Sequence, residues 1–391
     1  MTPSARVQAA IEILDAVIAS ARDDGPPADA IVSAYFKARR YAGSKDRRAV
    51  RELVFAAIRR IADPPESGRA AMLTLAGGDD ELRALFDGSA HGPAAIAPGE
   101  EGADPGLVPR WIEAELSSLV TPAEYPALLE RAPLDLRVNV ARLSRERALA
   151  QVDDAEPTPL SPWGIRLRSE TRVDQHPAYL AGEVEVQDEG SQLIALACKP
   201  ADGIRILDLC AGAGGKSLAL AAAAPGAAIL ATDTNRARLS KLSPRAERAG
   251  ASIAIRLLDG GREAEQLSEF RGQFDVVLVD APCSGSGTWR RNPEGRWRLT
   301  PDRLDRVTAI QSRLLDIAAP LVRPGGSLVY AVCSILSREG AGQVDAFLGR
   351  HSSWMAQDTL PMIGRSDGKG RLLTPGHDST DGFFVATMMA P

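Results

Sequence analysis

Residues 204–217 read IRILDLCAGAGGKS, and the fold class follows from these residues. An apolar run, residues 204–209, leads into a glycine-rich turn, and the alanine-rich run after it is typical of a buried helix. In open α/β sheets, ligands bind at the carboxyl ends of the strands, where glycines let them approach the backbone closely. These residues therefore predict a strand, a ligand-binding turn and a helix of an α/β domain.

Five more short apolar runs typical of strands follow, and helix-like stretches separate several of them. They lie at residues 228–232, 253–258, 275–279, 327–332 and 383–388. Alternation of strand and helix is typical of a doubly wound parallel sheet. We therefore expect a Rossmann-like α/β domain over residues 197–391.

Upstream of this domain the pattern changes twice. Apolar residues recur at helical spacing early in the chain, which predicts an all-α domain over residues 1–122. Short strand-like runs at residues 136–140 and 165–168 predict a small α/β connector over residues 123–196. A length of 391 residues is sufficient for three such domains.

The glycine-rich turn matches neither of the common nucleotide-binding motifs. A Walker loop would need glycine where Cys210 stands, and a dinucleotide fingerprint would need glycine where Ser217 stands. Acidic residues instead end the next three predicted strands, namely Asp233, Asp259 and Asp280. Carboxylates at these places can accept ribose hydroxyls and an adenine amino group, although any one of them alone could be a helix N-cap. Together they predict an adenosine site without phosphate chemistry, which indicates S-adenosyl-L-methionine.

The four cysteines are Cys198, Cys210, Cys283 and Cys333. They show no CxxC spacing and no paired framework, so we expect neither disulfides nor a metal site. Free thiols, with no secretion-signal pattern in the first residues, predict a cytoplasmic protein. Cys198 and, less firmly, Cys210 are interpreted as inert buried thiols.

Cys283 and Cys333 follow the fourth and fifth predicted strands, at the same sheet edge as the cofactor turn. C5 of cytosine becomes nucleophilic when a thiolate adds at C6, and a second group must then assist release. Two cysteines at one sheet edge therefore suit methylation of cytosine at C5. Their spacing does not decide which one is the nucleophile.

Several segments closely resemble the Fmu/Sun family of RNA cytosine-5 methyltransferases. These are DLCAGAGGKS, ATDTNRARL, FDVVLVDAPCSGSGTWRRNPEGRWRL, YAVCS and DGFFVA, with LRVN and VQDEGSQL upstream. More weakly, RVQAAIEIL and KDRRAVRELVFAAIRR resemble the NusB-like RNA-binding domain of the bacterial ribosomal RNA small subunit methyltransferase B group. The resemblance implies a Rossmann-like class I S-adenosylmethionine-dependent methyltransferase domain, preceded by an all-α NusB-like domain and a small α/β connector.

The resemblance also implies roles by position. Cys333 would be the nucleophile at C6, Cys283 would assist release of the product, and Asp280 would contact the N3/N4 edge of the cytosine. The cofactor would be held by Cys210, Ala211, Gly212, Ala213, Gly214, Gly215, Lys216, Asp233, Asp259 and Asp280.

Three residues depart from the family pattern. Ala213 stands in place of a proline, Val332 in place of a threonine before the nucleophile, and Glu294 in place of an aspartate. None of these changes removes a reacting group, so we expect an active enzyme.

Basic residues are concentrated in two segments, although the net charge is −5. Residues 37–60 carry nine basic side chains against two acidic ones. Residues 290–313 carry seven arginines against three acids, with Trp289 and Trp297 among them. Arginines with aromatics suit phosphate contact and base stacking, so we expect both segments to contact RNA. The plainer interpretation of each is a solvated helix face.

The expected function is methylation of cytosine at C5 in RNA, with 16S ribosomal RNA favoured over transfer RNA as the substrate. We expect the protein to act as a monomer and to bind neither DNA nor a membrane. The target base would be flipped out of its stack to reach the thiols. A catalytically silent RNA-binding ribosome-assembly factor remains an alternative, but it would not need Cys283, Cys333 and Asp280. A methyltransferase for a protein or small molecule would be expected to carry an Asn/Asp-Pro-Pro-Tyr signature where DAPCSG stands.

Overall fold

A computed structural model describes residues 1–23, 25–168 and 171–391, which form two compact units. The helical unit comprises Met1–Glu115, Tyr125–Glu130 and Thr288–Pro301. The sheet unit comprises Leu116–Glu124, Arg131–Gly287 and Asp302–Pro391. The division into three domains at residues 122 and 196 stays a prediction.

Helices occur in both units. They are α1 (Pro3–Arg22), α2 (Ala28–Ala38), α3 (Ser44–Arg60), α4 (Gly68–Ala76), α5 (Asp80–Ala84), α6 (Arg110–Glu113), α7 (Arg145–Gln151), α8 (Pro177–Leu180), α9 (Glu189–Ala197), α10 (Gly215–Ala223), α11 (Arg236–Leu239), α12 (Leu242–Ala249), α13 (Glu263–Gln266), α14 (Gly295–Arg298), α15 (Pro301–Ala318), α16 (Ala341–Arg350) and α17 (Pro375–Asp378).

The strands all lie in the sheet unit. They are β1 (Leu134–Val138), β2 (Ala155–Pro157), β3 (Gly164–Leu167), β4 (Val184–Val186), β5 (Arg205–Asp208), β6 (Ala228–Asp233), β7 (Ala254–Leu257), β8 (Phe274–Asp280), β9 (Val322–Val332), β10 (Met355–Gln357), β11 (Arg365–Asp367), β12 (Gly370–Leu373) and β13 (Phe383–Met389).

The helical unit packs α1 against α3 and α4 around one apolar core. Val7, Leu14 and Ile18 of α1 are buried because residues three or four apart share one helix face. The Thr2 hydroxyl accepts from the Ala5 N–H and caps the first turn of α1, a contact that typically stabilises by about 1 kcal/mol. The helices predicted at the start of the chain are present in the structure.

The large sheet has the strand order β11-β12-β13-β9-β8-β5-β6-β7, with β10 paired to β13. Strands β7, β6, β5, β8 and β9 run parallel, whereas β13 pairs antiparallel with β9 and β12. The chain adds β6 and β7 on one side of β5 and then β8 and β9 on its other side. The carboxyl ends of β5 and β8 therefore form the switch point at which α/β sheets bind ligands. The predicted Rossmann-like fold class is confirmed, and the strand predicted at 383–388 lies antiparallel between β9 and β12.

The small sheet has the order β2-β3-β1-β4 and contacts helices α10 and α12 of the same unit through the LRVN segment. Arg137 donates to Gln187 Oε1 at 2.6 Å and to the Leu218 carbonyl of α10 at 3.4 Å. The Asn139 amide donates to the carbonyls of Gly182 and Ala249. The predicted strand at 136–140 lies two residues earlier, at Leu134–Val138. In the part of the chain that is described, no helix has the length and apolarity needed to cross a membrane.

Candidate active site

The sulfur atoms of Cys283 and Cys333 lie 3.2 Å apart. Strands β8 and β9 pair in parallel with Asp280 opposite Ala331, so the chain leaves both strands at the same sheet edge. The Gly287 N–H donates to the Cys333 carbonyl at 3.1 Å and ties the two loops together. Both thiols are partly exposed. The structure therefore brings together the two cysteines that the sequence singled out, within reach of solvent.

A buried lysine and an aspartate lie beside the thiols. Lys216, in the first turn of α10, donates from Nζ to Asp280 Oδ2 at 2.7 Å. Its ammonium also lies 5.6 Å from the ring centroid of Phe383, which belongs to the DGFFVA segment. The last residue of β8 is thus joined to the helix that begins in the glycine-rich turn.

The two thiols have different electrostatic surroundings. Contact with Cys333, burial and the nearby Glu339 carboxylate raise the pKa of the Cys283 thiol well above its ordinary value. Burial by itself would lower the pKa of Lys216, but Asp280 and Cys333 together outweigh burial and raise that pKa, so the ammonium keeps its proton. Cys333 therefore faces a cation, whereas Cys283 faces an anion.

The glycine-rich turn has the conformation that its glycines permit. Gly212 and Gly214 have φ values of 56° and 82°, in the left-handed region that side chains disfavour. A Cβ on Gly212 would lie 2.4 Å from the Arg238 guanidinium, and one on Gly214 would lie 2.1 Å from the Leu242 side chain. Any larger residue at either position would therefore displace the turn from α11 and α12.

The acidic residues that end β6 and the segment after β7 differ in burial. Asp233 is buried, and its two oxygens accept from the N–H groups of Gly212 and Asn235, each at 2.7 Å. Each carboxylate oxygen can accept a second hydrogen bond, so acceptor capacity for ribose hydroxyls remains. Asp259 is exposed and paired with Gln266 at 2.9 Å. Both residues lie at the edge predicted for them.

Asp208 ends β5 and points into the fold below the glycine-rich turn. Its Oδ2 accepts from the Ser217 hydroxyl at 2.6 Å, whereas Oδ1 is buried without a hydrogen-bond partner among the described residues. Burial raises the pKa of this carboxyl to about 7. Asp233 is therefore the carboxylate of this turn that can accept from ribose hydroxyls, which fits an adenosine-containing cofactor.

Burial dominates the surroundings of the other two cysteines. Burial raises the pKa of the Cys198 and Cys210 thiols, so both remain neutral. Cys198 is 2% exposed and contacts the Ile194 carbonyl. These contacts agree with the interpretation of Cys198 as an inert buried thiol.

The prediction that residues 290–313 form an RNA-contacting surface is wrong for the part that lies in the helical unit. Trp289, Arg290, Arg296 and Trp297 are each at most 5% exposed. Arg296 and Trp297 donate to backbone carbonyls at the end of α3, so their polar groups are used inside the unit. Glu294 is also buried and accepts from the Ala28 N–H at the start of α2.

Sequence reasoning missed a buried glutamate beside the thiols. Glu339 lies six residues after Cys333, is 0% exposed, and accepts from Ser284, Ser334 and Gln311. No periodicity or motif in the sequence relates these residues, because they come from separate loops and from α15. Only the tertiary structure could reveal this cluster.

A family model described as 16S rRNA methyltransferase RsmB/F matches residues 194–389. The chain belongs to the RsmB/F family. This assignment confirms the resemblance found in the sequence, and it confirms S-adenosyl-L-methionine as the cofactor. The matched residues include β5 to β13, and thus both thiols and the glycine-rich turn.

Curated relatives of this RsmB/F chain include ribosomal RNA small subunit methyltransferase B from two bacteria. The protein of Enterobacter sp. (strain 638) is 36% identical and that of Salmonella arizonae is 35% identical, each over 291 residues. Each alignment covers 72% of this chain and 66% of the relative. The chain therefore spans 66% of the length of these relatives.

Solved structures share the fold of this RsmB/F chain. The crystal structure of PH0851 superposes with a TM-score of 0.73 at 21% identity and covers 99% of both chains. The structure of NSun6 from Pyrococcus horikoshii with SFG gives a TM-score of 0.59 at 19% identity, over 68% of this chain and 92% of that one. The first of these extends the shared fold to the N-terminal helical region.

Proposed function

We propose that the chain transfers a methyl group from S-adenosyl-L-methionine to C5 of a cytosine in RNA, with 16S ribosomal RNA as the substrate. The observation that carries this proposal is the pair of sulfur atoms 3.2 Å apart beside the Lys216–Asp280 pair. Cytosine C5 methylation needs a nucleophile at C6 and a second group for release, and this site offers two thiols that differ in their surroundings.

Cys333 is proposed as the nucleophile. A thiolate is the reactive form, and a neighbouring ammonium stabilises it. The raised pKa of Lys216 keeps a positive charge beside Cys333, whereas Glu339 and Cys333 keep Cys283 neutral. These surroundings favour the same assignment that the family resemblance implies.

The adduct forms and resolves through the chain's own groups. The Cys333 sulfur bonds to C6, and the electrons of the C5–C6 double bond move to C5. Asp280 is proposed to accept from the N4 amino group of the cytosine while Lys216 holds its other oxygen. After C5 is methylated, a solvent base takes the C5 proton, and the electrons of the C5–H bond re-form the C5–C6 double bond. The sulfur–C6 bond breaks as its electrons return to the Cys333 sulfur, a release that Cys283 is proposed to assist.

The cofactor would be held by the turn from Cys210 to Lys216, with Asp233 for the ribose hydroxyls and Asp259 for the adenine edge. When bound, it supplies an electrophilic methyl group. Gly212 and Gly214 let the backbone of the turn adopt positive φ values while it packs against Arg238 and Leu242. The helical unit, NusB-like in fold, is proposed to bind RNA through the basic residues of segment 37–60.

Transfer of labelled methyl groups to total RNA that lacks its native cytosine methylation tests this function. We expect 5-methylcytidine with the wild-type chain and none with Cys333→Ala. Cys283→Ala is expected to accumulate a covalent RNA–protein adduct, because release is impaired. Cys198→Ala is the matched control, since that thiol is buried and contacts the Ile194 carbonyl, and it should behave as wild type.

Other outcomes would point elsewhere. Label in another base or in protein would reject cytosine methylation. An inactive, adduct-free Cys283→Ala with an active Cys333→Ala would exchange the roles of the two thiols. Label in transfer RNA but not in 16S ribosomal RNA would identify transfer RNA as the substrate. No transfer at all, with RNA binding retained, would favour a ribosome-assembly factor without catalysis.

A further inference from the structure

Glu339 joins the two loops that carry the thiols. Its Oε1 accepts from the Ser284 backbone N–H at 2.8 Å, and its Oε2 accepts from the hydroxyls of Ser284 and Ser334, each at 2.5 Å. Ser284 directly follows Cys283, and Ser334 directly follows Cys333. One buried carboxylate therefore fixes the backbone next to each sulfur.

Neighbouring side chains hold this carboxylate in place. Gln311 of α15 donates from Nε2 to Glu339 Oε1 at 2.9 Å and to the Pro282 carbonyl at 3.0 Å. The Tyr330 hydroxyl donates to the Glu339 carbonyl at 2.6 Å. Among the described residues, the hydrogen-bond donors to the carboxylate are all neutral groups. The carboxylate thus lies next to both thiol loops with no cation among its described hydrogen-bond partners.

Resting on the function proposed above, we propose that Glu339 is a positioning residue that holds Cys283 and Cys333 in contact and places a carboxylate beside Cys283. A neutral Cys283 can donate its S–H to a Cys333 thiolate across the 3.2 Å contact. One thiol of the pair is then the nucleophile, and the other keeps a proton until release.

Several charged and titratable groups surround Cys283 besides Glu339. Cys333 after β9 and Tyr330 within β9 interact with Cys283 directly, whereas Lys216 of α10 interacts with Cys333 and Asp280. Lys216 is bonded to Asp280, so the charge of one largely offsets the other. Among the described residues of this group, Glu339 is the carboxylate without a cationic partner. Its removal should allow Cys283 to ionise at lower pH.

Alkylation of each thiol as a function of pH tests the proposal on the full chain without RNA. Peptide mass spectrometry separates the rates at Cys283 and Cys333. With Glu339→Gln, which keeps the shape and removes the charge, we expect the Cys283 profile to move toward lower pH. Glu263→Gln is the matched control, because Glu263 is a buried glutamate paired with Arg313. The Cys283 alkylation profile of this variant should equal that of wild type.

Glu339→Asp separates position from charge. It keeps the carboxylate but shortens its reach, so we expect the wild-type Cys283 profile together with a kcat lowered roughly tenfold or more and an unchanged KM for S-adenosyl-L-methionine. An unmoved Cys283 profile in Glu339→Gln, or unchanged kcat in Glu339→Asp, overturns the proposal even where 5-methylcytidine forms. A moved profile without 5-methylcytidine leaves this role for Glu339 intact and rejects only the proposed function.

Discussion

Two arginine-rich segments of the helical unit have similar composition and different surroundings. In residues 37–60, Arg40, Arg47 and Arg51 are exposed on or beside α3. In the segment Thr288–Pro301, Arg296 is 1% exposed. A basic composition therefore does not tell whether a guanidinium meets solvent or backbone. The acceptors that lie nearby decide this.

The buried segment supplies donors to helix ends. The last carbonyls of a helix have no partner within the helix, and a guanidinium carries five N–H donors in one plane. Arg296 donates to the Ile58 carbonyl of α3 at 2.6 Å and to the Leu107 carbonyl. Trp297 Nε1 donates to the Ile61 carbonyl at 3.1 Å, and Arg298 donates to the Gly25 and Pro26 carbonyls. These contacts stabilise the helical unit, so they are unavailable to RNA.

Replacement of Arg296 should have the largest effect on stability. Arg296→Met keeps much of the side-chain volume but leaves buried carbonyls without donors, so we expect the free energy of unfolding to fall by about 3 kcal/mol. Urea unfolding followed by circular dichroism measures it. Arg40→Met, on the exposed segment, is the control and should change stability by about 0.5 kcal/mol or less. Equal stability of the two variants would show that the buried Arg296 contributes no more to folding than the exposed Arg40.

Reversal of exposed charges should affect RNA binding and not stability. We expect Arg40→Glu with Lys45→Glu to weaken RNA binding roughly tenfold at moderate salt and to flatten its salt dependence, because phosphate contacts release counterions. Arg271→Glu with Lys199→Glu makes the same change of net charge in the sheet unit and serves as the control. If both pairs weaken binding equally, net charge and not segment 37–60 explains the effect.

A smaller loss of stability is expected for the indole of the buried segment. Trp297→Phe removes one N–H donor to the Ile61 carbonyl and part of the ring, at a cost of about 1–2 kcal/mol. The same urea experiment measures it. Tyr41→Phe is the control, since Tyr41 is 75% exposed in the basic segment. A Trp297→Phe variant as stable as wild type would show that the indole N–H contributes nothing to the stability of the helical unit.

Arg69 is an intermediate case, because it forms a two-point contact with Glu100 at 2.6 and 2.8 Å. Hydrogen bonding to Arg69 and to the Ala97 N–H lowers the pKa of Glu100 to about 2. A carboxyl whose pKa is lowered on folding stabilises the folded chain at pH values above its pKa in the unfolded chain. This contribution disappears as the pH falls toward 2. In Glu100→Gln, the free energy of unfolding should therefore fall slightly less than in wild type between about pH 4.5 and 2. An identical acid profile in both chains would show that this contact contributes nothing.

Local patterns in the sequence predicted much of the fold. The strand and turn at 204–217 were predicted because apolar alternation and glycines are local features. The loops of Cys283 and Cys333 could be assigned to one edge because parallel strands present their carboxyl ends together. The contact between Lys216 and Asp280 could not be predicted, since the two residues are 64 positions apart.

The sequence by itself determined the class of fold, the glycine-rich turn and the two cysteines, because each depends on residues that are neighbours in the chain. Tertiary structure alone decided which arginines are buried and which residue holds the thiol loops. Arg296 is buried because the carbonyl ends of α3 need donors, and Glu339 meets Ser284 and Ser334 because β8 and β9 pair side by side. Such contacts join distant residues, and a single sequence carries no local signal of them.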